Sequence, residues 1–407
     1  MSSNMFLMMK DELVMRINFD TALFDVVNEK LLPFPLQGKF RKVQSVDDIK
    51  TKYDMTQALT AWDKNRSAII NFLSHRVLPI TRSNAKKIYN LFGFSQRQDE
   101  ISEAKIAIVC RALSLQDNYW LKLEGDTYTW DDVCLRKVSL SEAVAQVSLH
   151  GASLSLTNKK SEAIRTPELT GQGAYAKAWY RESDGLYLYK LGSPIPDKEG
   201  QTWPGSLESR IEVMVSKLLD NCNVDHLKYE EQTSEGLYVC KCKCMTDDKI
   251  SILSGDDFYT WCNMHGLDSH REALRIDPDA IYKMWIVDYL ISNGDRHGLN
   301  WGFFYDCDTM KILRCHPLYD HNNSFDIPTM QNENVAYIYD ESMTMKQAAQ
   351  LAMKHVDFYF YREFTRQDFL TERQYKSFIS RAKELGIKVK PRSNASIDDA
   401  INSMSPN

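Results

Sequence analysis

One stretch of the sequence contains three side chains with oxygen donors that the fold could bring together. They are Asp295, Asn300 and Asp320. Asp295 and Asn300 follow an apolar segment of helical spacing and precede a short apolar run that predicts a strand. A turn and a second apolar run come next, and Asp320 follows shortly after that run. A hairpin of these two strands would place all three side chains at one end of a single element.

This set of side chains fits phosphoryl transfer. One carboxylate accepts the proton of the attacking hydroxyl, while an amide oxygen and a second carboxylate hold Mg²⁺, a hard cation that prefers oxygen. Asp295 and Asn300 have the D-x-x-x-x-N spacing of a kinase catalytic loop. The alternative is an aspartate-capped loop beside an ordinary hairpin. The full pattern N-G-D-R-H-x-x-N-W-G-F, followed by P-L-Y-D-x-x-x-S, is much rarer by chance and favours catalysis.

The segments NGDRHGLNWGFF and PLYDHNNSF resemble the catalytic and metal-binding segments of HipA-like kinases, which are bacterial proteins with a protein-kinase-like fold. The resemblance implies that Asp295 is the catalytic base, that Asn300 and Asp320 bind Mg²⁺, and that a protein hydroxyl is the acceptor. The family often has threonine where this chain has Gly294, which loosens the loop but removes no catalytic group. The phosphoinositide kinases share G-D-R-H-x-x-N, so this loop alone leaves a lipid substrate open.

A Gly-rich turn at residues 170–174 runs into a strand, and a second strand ends in Lys190. Glycines let backbone N–H groups approach phosphates, although the third glycine of G-x-G-x-x-G is missing. The order of loop, strand, turn and strand with lysine is that of a kinase small lobe, in which the lysine contacts the phosphates of ATP. The alternative is a solvated lysine at a strand end. The residues predicted to contact the nucleotide are Thr170, Gly171, Gln172, Gly173, Ala174, Lys177 and Lys190.

A helix predicted at residues 206–219 carries Glu208 and Glu212 one turn apart. In protein kinases a helix glutamate pairs with the ATP lysine, so one of the two should pair with Lys190. The resemblance favours Glu212, and the alternative for either glutamate is a solvated charge.

Thr170 is also a candidate for modification. Some HipA-like kinases carry a serine seven residues before the lysine of the phosphate loop, and its autophosphorylation switches the enzyme off. Thr170 stands seven residues before Lys177. The alternative is a threonine that starts the turn by bonding to the local backbone.

The composition is that of an ordinary globular protein. The 407 residues carry a net charge of −5. This charge indicates neither a basic surface for binding nucleic acid nor a polybasic membrane anchor. The sequence contains no apolar run of membrane-spanning length and no signal-peptide pattern at its start, so we expect a cytoplasmic protein. The nine cysteines indicate reduced thiols. Cys240, Cys242 and Cys244 fit the buried face of a strand better than a zinc site.

We therefore expect an α+β, two-lobed, protein-kinase-like fold with an N-terminal accessory domain. The predicted limits are 1–160 for the accessory domain, 161–247 for the small lobe, 248–390 for the large helical lobe and 391–407 for a loose tail. Segments 80–94 and 112–122 also fit a DNA-binding helix-turn-helix, but without a basic excess we expect no nucleic-acid partner.

The expected function is ATP- and Mg²⁺-dependent phosphorylation of a protein serine or threonine. The alternatives are a small-molecule or lipid kinase and a non-catalytic pseudokinase that binds nucleotide. The retention of Lys190, Asp295, Asn300 and Asp320 weighs against the pseudokinase. A separate regulatory or antitoxin chain is the expected partner besides the protein substrate, and we expect no membrane partner.

Overall fold

The computed structural model describes residues 4–21, 23–40, 50–94, 100–154, 163–192, 207–325 and 343–392. It has the predicted two-lobed α+β architecture with an additional N-terminal domain. We use N-terminal domain for residues 4–154, small lobe for 163–247 and large lobe for 248–392. The predicted boundary at residues 160 and 161 and nearly all of the predicted tail lie outside the described residues.

The N-terminal domain contains an antiparallel sheet of order β3-β2-β1-β4 covered by helices. The strands are β1 (Asn4–Met9), β2 (Glu12–Asn18), β3 (Leu23–Val26) and β4 (Tyr119–Leu123). The helices are α1 (Lys52–Ser74), α2 (Ala85–Leu91), α3 (Glu100–Val109), α4 (Trp130–Val133) and α5 (Glu142–His150). Residues 112–122 form a loop and β4 rather than a helix, so the helix-turn-helix interpretation is wrong.

The small lobe contains an antiparallel sheet of order β5-β6-β8-β7, against which its own helix and α5 of the N-terminal domain pack. Its elements are β5 (Ala176–Glu182), β6 (Gly185–Leu191), α6 (Leu207–Leu219), β7 (Tyr229–Ser234) and β8 (Leu237–Lys243). Lys177 of β5 and Lys190 of β6 are directly opposite each other. Their side chains therefore share one face of the sheet. Cys240 and Cys242 of β8 are buried free thiols.

In the described part of the large lobe, the predicted hairpin, β10 and β11, belongs to a three-stranded sheet, and a separate two-stranded sheet and five helices accompany it. The strands are β9 (Ile250–Ser254), β10 (Gly302–Asp306), β11 (Ile312–Cys315), β12 (Tyr359–Phe360) and β13 (Lys388–Val389). The helices are α7 (Gly255–Met264), α8 (Ser269–Ile276), α9 (Pro278–Ile291), α10 (Met345–Ala352) and α11 (Glu372–Leu385). Strand β9, which was not predicted from the sequence, pairs antiparallel with β10. The helices described here include none long and apolar enough to cross a membrane.

The N-terminal domain contacts both lobes. Its buried Phe34 packs against Tyr305 of β10, with ring centroids 5.1 Å apart, and against Trp261 of α7 at 5.9 Å. Asn118 donates from its side-chain amide to the carbonyls of Asp247 (3.3 Å) and Asp248 (3.2 Å), in the connection between the lobes. The domain is thus packed across the junction of the two lobes.

Candidate active site

The candidate catalytic loop begins where α9 ends. Ser292 caps this helix in a left-handed conformation, with φ 56°. Asp288, in the last turn of α9, accepts hydrogen bonds from the Asn293 amide (3.0 Å) and from the guanidinium of Arg296 (2.8 Å). Arg296 is 1% exposed. A buried arginine that is paired and hydrogen-bonded fixes the loop to the helix in one arrangement.

Arg296 also joins the catalytic loop to the segment that carries Asp320. Its Nη1 donates to the backbone carbonyl of Asn300 (2.7 Å) and to that of Tyr319 (2.8 Å). Burial lowers the pKa of Arg296, but the carboxylate of Asp288 more than compensates and the pKa is raised. The guanidinium is therefore a permanent cation that sets the distance between the two candidate metal-binding segments.

Asp295 lies half-buried at the mouth of the cleft between the lobes. Its Oδ2 accepts a hydrogen bond of 2.6 Å from the side-chain amide of Asn323. The Oδ1 of Asn323 in turn accepts a hydrogen bond of 3.3 Å from the hydroxyl of Tyr175, in the Gly-rich loop. The candidate base is thereby linked to the loop on the opposite side of the cleft.

Asn300 and Asp320 present oxygen atoms to the same cleft. The Asn300 amide nitrogen donates to the carbonyl of Asp295 over 2.8 Å, a bond that uses the nitrogen and not Oδ1. Asp320 adopts a left-handed backbone conformation, with φ 59°, which is uncommon outside glycine and is frequent at functional sites.

One amide oxygen and one carboxylate are a donor set that fits Mg²⁺. The described residues hold no cluster of three or more histidine, cysteine, aspartate or glutamate side chains arranged for a metal ion. Asn300 and Asp320 would therefore hold Mg²⁺ only together with oxygen atoms from a bound phosphate or water.

Lys190 lies at the centre of a buried charge cluster. Its ammonium is 3.2 Å from Glu212 Oε2 and 2.5 Å from Asp320 Oδ1. Of the two candidate glutamates it is Glu212 that contacts Lys190, and its Oε1 also accepts from the backbone N–H of His321 over 2.8 Å. Burial opposes charge on Lys190, yet the two carboxylates raise its pKa well above the usual value. Burial likewise raises the pKa of Asp320, but Lys190 and Lys177 lower it to about 2.

The Gly-rich loop lies over the same cluster. Lys177, at the start of β5, donates to the carbonyl of Gln172 over 2.7 Å. Burial and the neighbouring cations Arg82 and Lys190 lower the pKa of Lys177 well below the usual value. A group whose charged form is disfavoured by nearby cations gains from a bound anion. The loop is thus electrostatically prepared for phosphate.

Thr170 is buried at the base of the loop, and its hydroxyl donates to the carbonyl of Pro167 over 3.0 Å. This is the local backbone bond expected of a threonine that starts a turn. Phosphorylation would require that bond to open and the residue to become exposed.

A cavity of about 340 Å³ between the lobes collects the predicted site residues. Every residue predicted to contact the nucleotide lines it, together with Asp295, Asn300 and Asp320. Glu212 stands behind Lys190 and does not line it. The connection between the lobes contributes Cys244, Met245 and Thr246.

Two groups of residues that line this cavity were not predicted from the sequence. Tyr175 and Asn323 lie within quoted motifs, but neither had been assigned a role. Arg82, Ser114, Leu115 and Gln116 come from the N-terminal domain and line the same cavity. No local pattern identifies these four, because their proximity to the site arises only from the packing of the domain on the lobes.

The lobes and the cleft between them define a protein of the two-lobed kinase-like class. No family model matches the sequence, and a search of curated proteins found no relative. Among solved structures, the chain is similar to HipA of Shewanella oneidensis MR-1, solved with HipB and its operator DNA. The TM-score is 0.47 with 12% identity over 99% of this chain and 92% of that chain. HipA is the protein whose family the catalytic-loop segments resemble.

A second similar structure is CtkA, a proinflammatory kinase of Helicobacter pylori. The TM-score is 0.39 with 14% identity over 60% of this chain and 97% of that chain. Both TM-scores lie below 0.5.

Proposed function

We propose that this protein is a HipA-like kinase that uses ATP and Mg²⁺ to phosphorylate a serine or threonine of a protein substrate. The observation that carries this proposal is the convergence of Lys190, Asp295, Asn300 and Asp320 on one cavity between two lobes. These side chains come from three separate segments of the chain. A nucleotide-binding protein without phosphotransfer would have no need for a base and two metal ligands in that arrangement.

Each side chain has a defined task in this proposal. Lys190, oriented by Glu212, binds phosphate oxygens of ATP, and Asp295 accepts the proton of the acceptor hydroxyl. Asn300 and Asp320 would hold Mg²⁺, which when bound neutralises charge on the phosphates. Since phosphoryl transfer needs little covalent help, the protein contributes mainly positioning and charge neutralisation.

The Gly-rich loop supplies the remaining phosphate contacts. Thr170, Gly171, Gln172, Gly173, Ala174 and Lys177 all face the cavity. The adenine would lie against Cys244, Met245 and Thr246, where the chain passes between the lobes. A protein acceptor would approach the half-exposed Asp295. The proposed partners are the protein substrate and, as the resemblance implies, a separate regulatory or antitoxin chain.

Labelled ATP tests the proposal directly. The protein is incubated with γ-labelled ATP and a bacterial extract, with and without Mg²⁺, and Asp295→Asn serves as the inactive control. We expect Mg²⁺-dependent label on protein serine or threonine with the wild type alone. If ATP is turned over and the label appears only in small molecules or lipids, the protein is a small-molecule or lipid kinase instead. If ATP binds but is not turned over, the protein is a pseudokinase.

A further inference from the structure

The Gly-rich loop is held by an arginine that belongs to neither lobe. Arg82 of the N-terminal domain donates from Nε to the carbonyl of Gly173 over 2.9 Å. Its Nη2 donates to the carbonyl of Gln172 over 2.5 Å and to that of Gly171. Arg82 is 3% exposed. One buried guanidinium therefore binds three consecutive carbonyls of the loop.

Further hydrogen bonds align the loop with residues 75–83. The Gln172 amide donates to the carbonyls of His75 (2.8 Å) and Val77 (3.1 Å). The N–H of Ser83 donates to the carbonyl of Ala174 over 2.8 Å. The loop and this stretch of the N-terminal domain thus run side by side, and Arg82 is the charged group within that contact.

The charge of Arg82 has consequences for the cavity. Burial lowers its pKa to about 10, against the opposing effect of Glu168, so the guanidinium stays charged at neutral pH. The hydrogen bonds of its side chain to described residues all go to the loop carbonyls. Carbonyl oxygens repel phosphates, and a guanidinium bonded to three of these oxygens offsets that repulsion. Arg82 also lines the nucleotide cavity itself.

We propose that Arg82 is a positioning residue for the nucleotide, which makes the N-terminal domain a working part of the ATP site. The inference rests on the proposed function in that it takes the cavity for the ATP site. It assigns Arg82 the task of keeping the loop in the shape that accepts phosphates. The competing explanation is that Arg82 only stabilises the packing of the domain.

Two variants separate these explanations. Arg82→Lys keeps the charge but loses the planar fork that reaches several acceptors, and Arg82→Gln removes the charge. We expect both to raise the Kd of ATP·Mg²⁺, measured by calorimetry, and the KM for ATP by about tenfold or more, while kcat changes less than threefold. Amide hydrogen exchange of residues 170–175 without nucleotide should become faster.

A matched control is Arg111→Lys. Arg111 is a buried arginine of the same domain that pairs with Asp126, at 2.8 Å from Nε, and does not line the nucleotide cavity. We expect this variant to keep wild-type ATP affinity and wild-type exchange in residues 170–175, even if its melting temperature falls.

The outcomes are distinct. Wild-type ATP affinity and wild-type loop exchange in both Arg82 variants would overturn the inference. An equal loss of ATP affinity in Arg111→Lys would overturn it as well. If the wild type itself binds no ATP, the proposed function fails. The exchange of residues 170–175 then still shows whether Arg82 sets the position of the loop.

Discussion

Asn323 binds Asp295 through a hydrogen bond of 2.6 Å from its side-chain amide to Oδ2 of the carboxylate. This bond holds one carboxylate oxygen, and in the proposed reaction Oδ1 receives the proton of the acceptor hydroxyl. Asn323 lies three residues after Asp320, so the segment with the candidate metal ligand also orients the candidate base. Through Tyr175, the same asparagine is bonded to the Gly-rich loop.

Replacing Asn323 with alanine should lower kcat about tenfold, because Asp295 loses the bond that orients it, and should change the KM for ATP little. Steady-state kinetics with varied ATP measures both constants. Tyr175→Phe is the control, since it removes the hydroxyl that bonds to Asn323 Oδ1 and leaves the bond between Asn323 and Asp295 in place. It should lower kcat less than threefold. An Asn323→Ala enzyme with wild-type kcat would show that the bond does not orient the base.

Replacing Asp295 with asparagine keeps the shape of the side chain and removes the base. Loss of a general base typically costs about 10²- to 10⁴-fold in rate, so we expect a fall in kcat of that size. ATP binding, measured by calorimetry, should remain, since Lys190 and the Gly-rich loop are unchanged. An Asp295→Asn variant with wild-type turnover would exclude Asp295 as the base.

Replacing Asp320 with asparagine should weaken the binding of Mg²⁺ with nucleotide. Ligand binding raises stability by mass action, by about 2.7 kcal/mol at a hundredfold excess over Kd. The wild type should therefore melt at a higher temperature with ATP and Mg²⁺ than with ATP and EDTA. Asp320→Asn and Asn300→Ala should lose most of that difference. The same Mg²⁺-dependent shift in a variant would remove that residue from the ligand set.

Autophosphorylation of Thr170 should lower ATP affinity. A phosphate adds about −1.5 to −2 charges beside the nucleotide phosphates and would be repelled by them. Because the Thr170 hydroxyl is buried and bonded to Pro167, we expect modification to be slow and to require opening of the loop. Mass spectrometry over time with ATP and Mg²⁺ measures it, with Asp295→Asn as control. An unmodified Thr170 in active enzyme would exclude the switch.

His316 should make the protein less stable in acid. It is buried between Phe304 and Tyr319, and burial lowers its pKa to about 4. The unfolded chain, with a histidine pKa of about 6.5, binds the proton more readily. The contribution of the neutral, buried imidazole to the free energy of unfolding is therefore complete above pH 6.5. It is lost as the pH falls toward 4, by up to about 3 kcal/mol.

Urea denaturation at pH 7, 5.5 and 4.5 measures this loss. His316→Gln should show a smaller decrease in the free energy of unfolding over that range. His265→Gln, at an exposed position, is the control and should keep the wild-type pH dependence. If the free energy of unfolding falls equally with pH in the wild type and in His316→Gln, His316 is not the source of the acid sensitivity.

Sequence patterns predicted several of the elements that carry the candidate site residues. Helical periodicity at residues 206–219 identified α6, and the Asp295 to Asp320 motif identified the hairpin that carries it. These patterns are local, because a helix face or a strand repeats within a few residues. Arg82 could not be predicted in this way. It stands about ninety residues before the loop that it binds, in a segment that instead suggested a DNA-binding helix.

Strand β9 could not be predicted from the sequence for a similar reason. Its five residues are three apolar residues and two serines without strict alternation, and they stand next to the connection between the lobes. Only pairing with β10 defines them as a strand. The large lobe therefore contains a three-stranded sheet where the sequence predicted a hairpin.

The position of Phe34 has a consequence for biosynthesis. Its aromatic partners, Trp261 and Tyr305, follow it by more than 220 residues. During translation the N-terminal domain emerges first, with this apolar ring still uncovered until most of the large lobe has left the ribosome. Contacts between such distant residues also slow folding. The nascent chain should therefore bind chaperones that recognise exposed apolar segments, and Phe34→Ser should weaken that binding.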